Sequence, residues 1–182
     1  MTATQTMADS KLTDIFLMPG DYFVGDERYR VRTLLGSCVS ITLWHPAMRI
    51  GAMSHFLLPG QGRKKEGAKP GIYGTDAMRL LMDGMARHGV PLAQCQGKIF
   101  GGGAMFPRND KVRDIGAQNG DFARAMLHEQ GIHVVSESLF GEGHRQLIFT
   151  IRSGEVLSRQ VAPEPHAAAG RMRGPRNRHE WN

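Results

Sequence analysis

Leu35-Gly36-Ser37-Cys38-Val39-Ser40-Ile41-Thr42-Leu43-Trp44 runs into a turn through His45-Pro46-Ala47-Met48-Arg49 and returns as Ile50-Gly51-Ala52-Met53-Ser54-His55-Phe56-Leu57-Leu58-Pro59. Two β-rich runs joined by a Pro-containing turn predict a hairpin. A hairpin can bring the thiol of Cys38 and the imidazole of His55 within reach of each other from different strands. Together they are the smallest kit for thiol nucleophilic catalysis, because the thiolate is the reactive species and a neighbouring His lowers the thiol pKa or takes its proton.

Upstream of the hairpin, Asp14-Ile15-Phe16-Leu17-Met18 reads as a strand, Pro19-Gly20-Asp21 as a turn and Tyr22 to Val24 as a short strand. Downstream, Gly60 to Pro70 is a Gly- and Lys/Arg-rich loop that follows the His55 strand directly. Thr75 is placed to cap a helix in which Met78, Leu81, Met82 and Met85 recur at helical spacing, with Gly89 just past its end. That Met stripe reads as core. Lys98-Ile99-Phe100 is a strand running into Gly101-Gly102-Gly103. A second helix is expected from Asn119 as cap, through Phe122, Ala125, Met126 and Leu127, to Gly131. His133 to Ser136, Gln146 to Ile151 and Glu155 to Gln160 read as further strands. Helices interspersed among strands without regular βαβ alternation define an α+β domain. Residues 13–161 are expected to form that single domain, with a disordered N-terminus at 1–12 and a disordered basic tail at 162–182 whose composition shifts to Pro, Ala, Gly and Arg.

At 182 residues with 41% hydrophobic content, the chain can build one real core. No run approaches the ~20 apolar residues of a membrane-spanning helix, and Met1 to Lys11 lack an apolar signal core, so the expectation is a cytoplasmic protein without membrane insertion. Two cysteines and no Cys-x-x-Cys pair exclude a disulfide scaffold and argue against structural zinc. The net charge of +6 invites a nucleic-acid reading. Part of the excess, however, falls in the tail, where Arg171, Arg173, Arg176 and Arg178 outnumber Glu164 and Glu180, and another basic cluster is Arg63-Lys64-Lys65; neither has interleaved aromatics or a nucleic-acid-binding motif, so the expectation is no nucleic-acid partner.

Each candidate residue has two readings from the residues alone. Cys38 is a small hydrophobe packed in an apolar strand, or a nucleophile preceded by Gly36 and Ser37, small residues that admit a substrate and expose backbone N–H groups. His55 is a core histidine, or a base sharing a strand face with Met53 and Leu57. Cys95, in Leu92-Ala93-Gln94-Cys95-Gln96, matches no motif and reads as structural. Gly101 to Gly103 lacks the Gly-Lys-Ser/Thr ending of a phosphate loop and reads as a backbone turn shaping a pocket. Arg145 reads as a structural ion-pair partner.

Several landmarks in order resemble the chemoreceptor glutamine deamidase family, CheD. They are Leu35-Gly36-Ser37-Cys38-Val39, His55 seventeen positions after Cys38 within Gly51-Ala52-Met53-Ser54-His55-Phe56-Leu57-Leu58-Pro59, Ile72-Tyr73, Lys98 to Phe106, Ile115-Gly116-Ala117-Gln118-Asn119, and Gly141-Glu142-Gly143-His144-Arg145. The likeness runs from about Asp14 to Gln160. It implies a mixed β-sandwich core with flanking helices, a cysteine-hydrolase-like fold shared with some bacterial deamidating toxins. It also implies hydrolysis of glutamine side chains in methyl-accepting chemoreceptors, with Cys38 as nucleophile and His55 as general base, no metal or organic cofactor, and docking with a CheC-type phosphatase. A Thr on the segment entering the Cys orients the imidazole in the family, six residues before it. Here Arg32 holds that position and Thr33 stands five before Cys38. Residues five apart on an unbroken strand face opposite ways, so Thr33 serves only if the Gly36 step breaks the alternation. A non-catalytic adaptor for chemotaxis proteins, with Cys38 as packing, is the competing reading.

Overall fold

The computed structural model describes residues 11–62, 66–105 and 115–161. The chain order is β1 (Thr13–Leu17), β2 (Tyr22–Gly25), β3 (Tyr29–Leu35), β4 (Val39–His45), β5 (Ile50–Ser54), α1 (Gly74–Arg87), a 3-10 turn (Leu92–Gln94), β6 (Gln96–Gly101), α2 (Ile115–Glu129), β7 (His133–Leu139), β8 (His144–Thr150) and β9 (Glu155–Val161). The hairpin expected around the turn at His45 to Arg49 is β4 paired antiparallel with β5, Thr42 opposite Met53 and His45 opposite Ile50. Basic residues 63–65 and 171–178 and the segments 1–10 and 162–182 lie outside the described residues.

The strands form two mixed sheets, β1-β3-β8-β9 and β2-β5-β4-β6-β7, in which β1 with β3 and β6 with β7 run parallel and the other pairs antiparallel. Alternation along β3 buries Val31, Thr33 and Leu35 and exposes Arg32 and Leu34. The buried set meets Met53 of β5, Phe100 of β6 and Leu147 and Phe149 of β8 in a layer between the two sheets. The opposite face of the second sheet presents Val39, Ile41, Leu43, Ala52 and Ile99 to Met78, Leu81 and Met85 of α1 and Ala123, Met126 and Leu127 of α2. The molecule is therefore a β-sandwich with both helices on one sheet, an α+β architecture in which the expected Met stripe is core. Full burial of each such Leu, Met or Phe is worth about 1.5–3 kcal/mol.

The helix starts differ from expectation. Tyr73 is the N-cap of α1 and makes no side-chain cap bond, and Thr75 lies inside the first turn. No side-chain cap is needed, because the first-turn N–H groups of Gly74 and Thr75 donate to the carbonyls of Leu58 and Gly60 at 2.9 and 3.2 Å. The segment just past His55 thus seats α1. Asn119 does not cap α2; it lies a full turn inside it and is completely buried. The C-terminal ends follow the sequence, with Gly89 and Gly131 at φ +70° and +65°, the left-handed conformation that ends a helix at glycine without a Cβ penalty.

Candidate functional site

Leu35 ends β3 in one sheet and Val39 begins β4 in the other, so Gly36-Ser37-Cys38 is the chain's passage between sheets. That passage removes the parity objection to Thr33. It and Cys38 do not share a strand, and Thr33 reaches the sandwich interior from β3. Arg32, at the six-residue spacing, is exposed on the outer face.

On the second sheet, Val39 and Phe56 exchange backbone hydrogen bonds of 3.1 and 3.0 Å, continuing the β4–β5 register three residues past Thr42 and Met53. In that register Ser40 stands opposite His55 and Cys38 opposite Leu57. Val39 and Phe56 point to the helices, so the alternating residues Cys38, Ser40, His55 and Leu57 share the inner face. Cys38 and His55 are diagonal neighbours there, with Cα atoms ~7–8 Å apart by strand geometry. His55 is also held by its backbone, since its N–H donates to Asp21 O at 3.0 Å and its carbonyl accepts from Gly20 N at 2.7 Å.

Thr33 Oγ1 lies 2.8 Å from His55 Nδ1 and 2.8 Å from the Leu17 carbonyl oxygen. A hydroxyl has one proton, and a carbonyl can only accept. Thr33 therefore donates to Leu17 and accepts from His55, which puts the proton of the neutral ring on Nδ1 and the free lone pair on Nε2. Nε2 is buried and has no hydrogen-bond partner among the described residues; the Ser40 hydroxyl opposite shares that state. Burial is the leading cause that pushes His55 down to about 4 from an ordinary 6.5; the Leu17 carbonyl and Asp21 oppose it and Lys69 reinforces it. Lys69 and Asp21 themselves pair at 2.9 Å, so their effects on the ring partly cancel. Burial likewise pushes the half-buried Cys38 thiol up, while its own backbone amide favours the thiolate. At neutral pH the resting site holds a thiol and a neutral imidazole.

The backbone around Cys38 is fixed from behind. The carbonyls of Gly36 and Cys38 accept from Gly103 N at 2.9 Å and Gly102 N at 2.8 Å, and that of Ser37 accepts from Asn119 Nδ2 at 3.0 Å. Gly101, at φ +117°, must be glycine, because a Cβ there would drive into the Cys38 carbonyl oxygen. The three-glycine turn expected to shape a pocket is thus the back wall of the Cys38 passage. The N–H groups of Ser37 and Cys38 donate to no other residue among those described, and that of Cys38 faces its own thiol.

Asn119 is the residue that sequence reasoning misassigned. Its Nδ2 donates both to Ser37 O and, at 2.8 Å, to Leu57 O, while Oδ1 is buried without a partner among the described residues. The signal was present: Gly116, Asn119, Gly120, Ala123, Met126 and Leu127 recur at helical spacing on one buried face. Arg145 is not an ion-pair partner among the described residues. It is buried, donates to Gly101 O at 3.0 Å, Phe140 O at 3.2 Å and Gln160 Oε1 at 3.0 Å, and desolvation lowers its pKa. Cys95 is buried far along the chain, with its thiol pushed up to about 11. His45 is tied to Gln94 at 3.1 Å and to the Met48 amide at 3.1 Å, a structural arrangement. No three His, Cys, Asp or Glu side chains converge as metal ligands among the described residues, and no described helix is long and apolar enough to cross a membrane.

Comparison with known proteins gives a consistent result. A family model described as CheD chemotactic sensory transduction matches residues 57–160. A protein of Albidiferax ferrireducens named probable chemoreceptor glutamine deamidase CheD 2 is 56% identical over 156 residues, 84% of this chain and 90% of its own length. Probable chemoreceptor glutamine deamidase CheD 3 of Dechloromonas aromatica is 40% identical, covering 82% of this chain and 88% of its own. The corresponding CheD 1 of Chromobacterium violaceum is 38% identical, covering 80% and 77%. Among solved structures, Neisseria meningitidis protein NMB0706 aligns over 76% of this chain and 62% of its own, with 15% identity and a TM-score of 0.39. With ordered sequence landmarks, a matching family model and relatives aligned along most of their length, the chain belongs to the CheD family.

Proposed function

We propose that the protein is a protein-glutamine deamidase that converts specific glutamine side chains in the cytoplasmic region of chemoreceptors to glutamate, releasing ammonia. The observation that carries the reading is the hydrogen-bond chain from His55 Nδ1 through Thr33 to the Leu17 carbonyl, which leaves the Nε2 lone pair unpartnered on the sheet face shared with Cys38.

In this reading Nε2 takes the thiol proton as Cys38 Sγ attacks the glutamine δ-carbon, so the new S–C bond forms while the C=O π electrons move to oxygen. Concerted transfer fits a resting pair in which neither group is charged. The Cys38 N–H receives the oxyanion; removal of such a donor in other enzymes has cost about 10²–10³ in rate. Collapse breaks the C–N bond, and ammonia leaves with the proton from Nε2. Water, deprotonated by the same nitrogen, then attacks the thioester, and breaking the C–S bond returns the proton to Cys38 and releases glutamate. Thr33 holds the ring in the required tautomer throughout. The chemistry would take place in the cytoplasm, where chemoreceptor substrate regions lie, and a CheC-type phosphatase is the proposed further partner.

The test is mass spectrometry of a receptor cytoplasmic fragment incubated with the protein. Amide-to-acid conversion at specific glutamines, with ammonia released in equal amount, is the expected result. A fragment that binds but is never deamidated would favour an adaptor with Cys38 as packing.

A further inference from the structure

The buried amide of Asn119 spans the two halves of the proposed site. One nitrogen bonds the carbonyl immediately before the nucleophile and the carbonyl two residues beyond the base, Ser37 O and Leu57 O. The amide's orientation follows from its partners, since exchanging Nδ2 and Oδ1 would set an oxygen against two carbonyl oxygens. The seat is rigid as well: α2 meets the glycine turn so closely that a Cβ on Gly102 or on Gly116 would collide with the other's carbonyl oxygen. Across a planar trans peptide, C=O and N–H point in opposite directions. Fixing the Ser37 carbonyl therefore fixes where the Cys38 N–H points.

We infer that Asn119 is a positioning residue for deamidation: by holding the Ser37 carbonyl it aims the Cys38 N–H at the oxyanion, and by holding Leu57 it keeps that donor in register with the His55 strand. The inference rests on the deamidase reading above. It separates the oxyanion donor from the thiol–imidazole pair, because the Asn119 amide hydrogen-bonds two backbone carbonyls and neither of those side chains. Alkylation of Cys38 by iodoacetamide is a displacement at carbon with no tetrahedral oxyanion, so it reports the thiol and its base alone.

Asn119→Leu keeps the branched skeleton and removes both N–H donors; Asn119→Ala removes them with a smaller residue that favours helix. Both are to be assayed beside the wild-type chain for kcat and KM on a receptor fragment, for the rate of Cys38 alkylation resolved from Cys95 by mass spectrometry, and for thermal unfolding. The expected result is a kcat lowered about 10²-fold, the loss typical of an oxyanion donor, with KM and the alkylation rate each within about threefold of wild type. A kcat within threefold of wild type overturns the inference, as does alkylation falling in step with kcat, since the amide would then serve the thiol. If neither variant folds, Asn119 serves the fold and the inference also fails. A wild-type chain that leaves the fragment unchanged overturns the deamidase reading and this inference together, whereas active wild type with unimpaired variants overturns this inference alone.

Discussion

Lowering the pH should destabilise this fold through His55 in a way that a single substitution isolates. The ring is buried, with its pKa lowered from 6.5 to about 4, chiefly by desolvation. In the window between those values the unfolded chain binds a proton that the native site refuses, so stability is full above the unfolded pKa and falls as pH drops toward the folded one. At about 1.36 kcal/mol per unit, the shift amounts to roughly 3 kcal/mol, with roughly 2.5 already lost by pH 4.5. Carboxylates and exposed histidines titrate as well, so the quantity to read is a difference. Urea unfolding of wild type and His55→Asn, followed by the fluorescence of Trp44, whose indole donates to Ile151 O at 2.8 Å, gives two stability curves from pH 7.5 to 4.5. The wild-type advantage should shrink by about 2–3 kcal/mol across that range, equivalent to several degrees of Tm in a domain of this size. Parallel curves, or a wild type that gains on the variant in acid, would refute a neutral buried imidazole and with it the assignment of Nε2 as a resting base.

Further outcomes follow from the site. Cys38→Ala should abolish deamidation without unfolding the chain, and Cys95→Ser should remain active; ammonia release by each variant checks both. Thr33→Val keeps the shape but frees the Nδ1 proton, so kcat should fall by about an order of magnitude or more as the wrong tautomer is populated, read by steady-state kinetics. Because burial raises the Cys38 thiol above its ordinary 9.0, the alkylation rate should keep rising with pH through 9; a plateau already reached at pH 7 would mean a resting thiolate–imidazolium pair. Ser40→Ala removes a buried hydroxyl that has no partner among the described residues, so no hydrogen bond is lost, and thermal unfolding should shift by less than about 1 kcal/mol.

The hairpin was legible because both of its signals are local, β-rich runs and a Pro turn, and the Met face of α1 because helical spacing is local too. Thr33 was half legible. Strand parity argued against its reaching the Cys38 side, and its place beside His55 follows from a passage between sheets at Gly36 to Cys38, a long-range fact that the pairing of β3 with β8 and of β4 with β6 supplies. Asn119 and Thr75 were misread for the same physical reason. Asn and Thr favour caps when their side chains must satisfy orphan N–H groups, but here distant backbone took that work at α1, through Leu58 and Gly60, and the Asn119 amide was committed instead to two carbonyls from other elements. Arg145 was expected to find a carboxylate and found carbonyls and a Gln side chain, partners that no residue pattern advertises.

The same burial that hides these contacts sets the character of the proposed chemistry. Desolvation raises the thiol and lowers the imidazole, so transferring a proton between them at rest runs uphill from both ends. In the proposed mechanism the transfer becomes favourable when negative charge can move on to a carbonyl oxygen held by the Cys38 N–H. A bound amide thus supplies the acceptor that completes the circuit, and without one Cys38 stays a thiol, slow to react with oxidants and alkylating agents that require the thiolate. In the proposed mechanism reactivity is thus conditional on substrate, because both partners of the pair are neutral at rest.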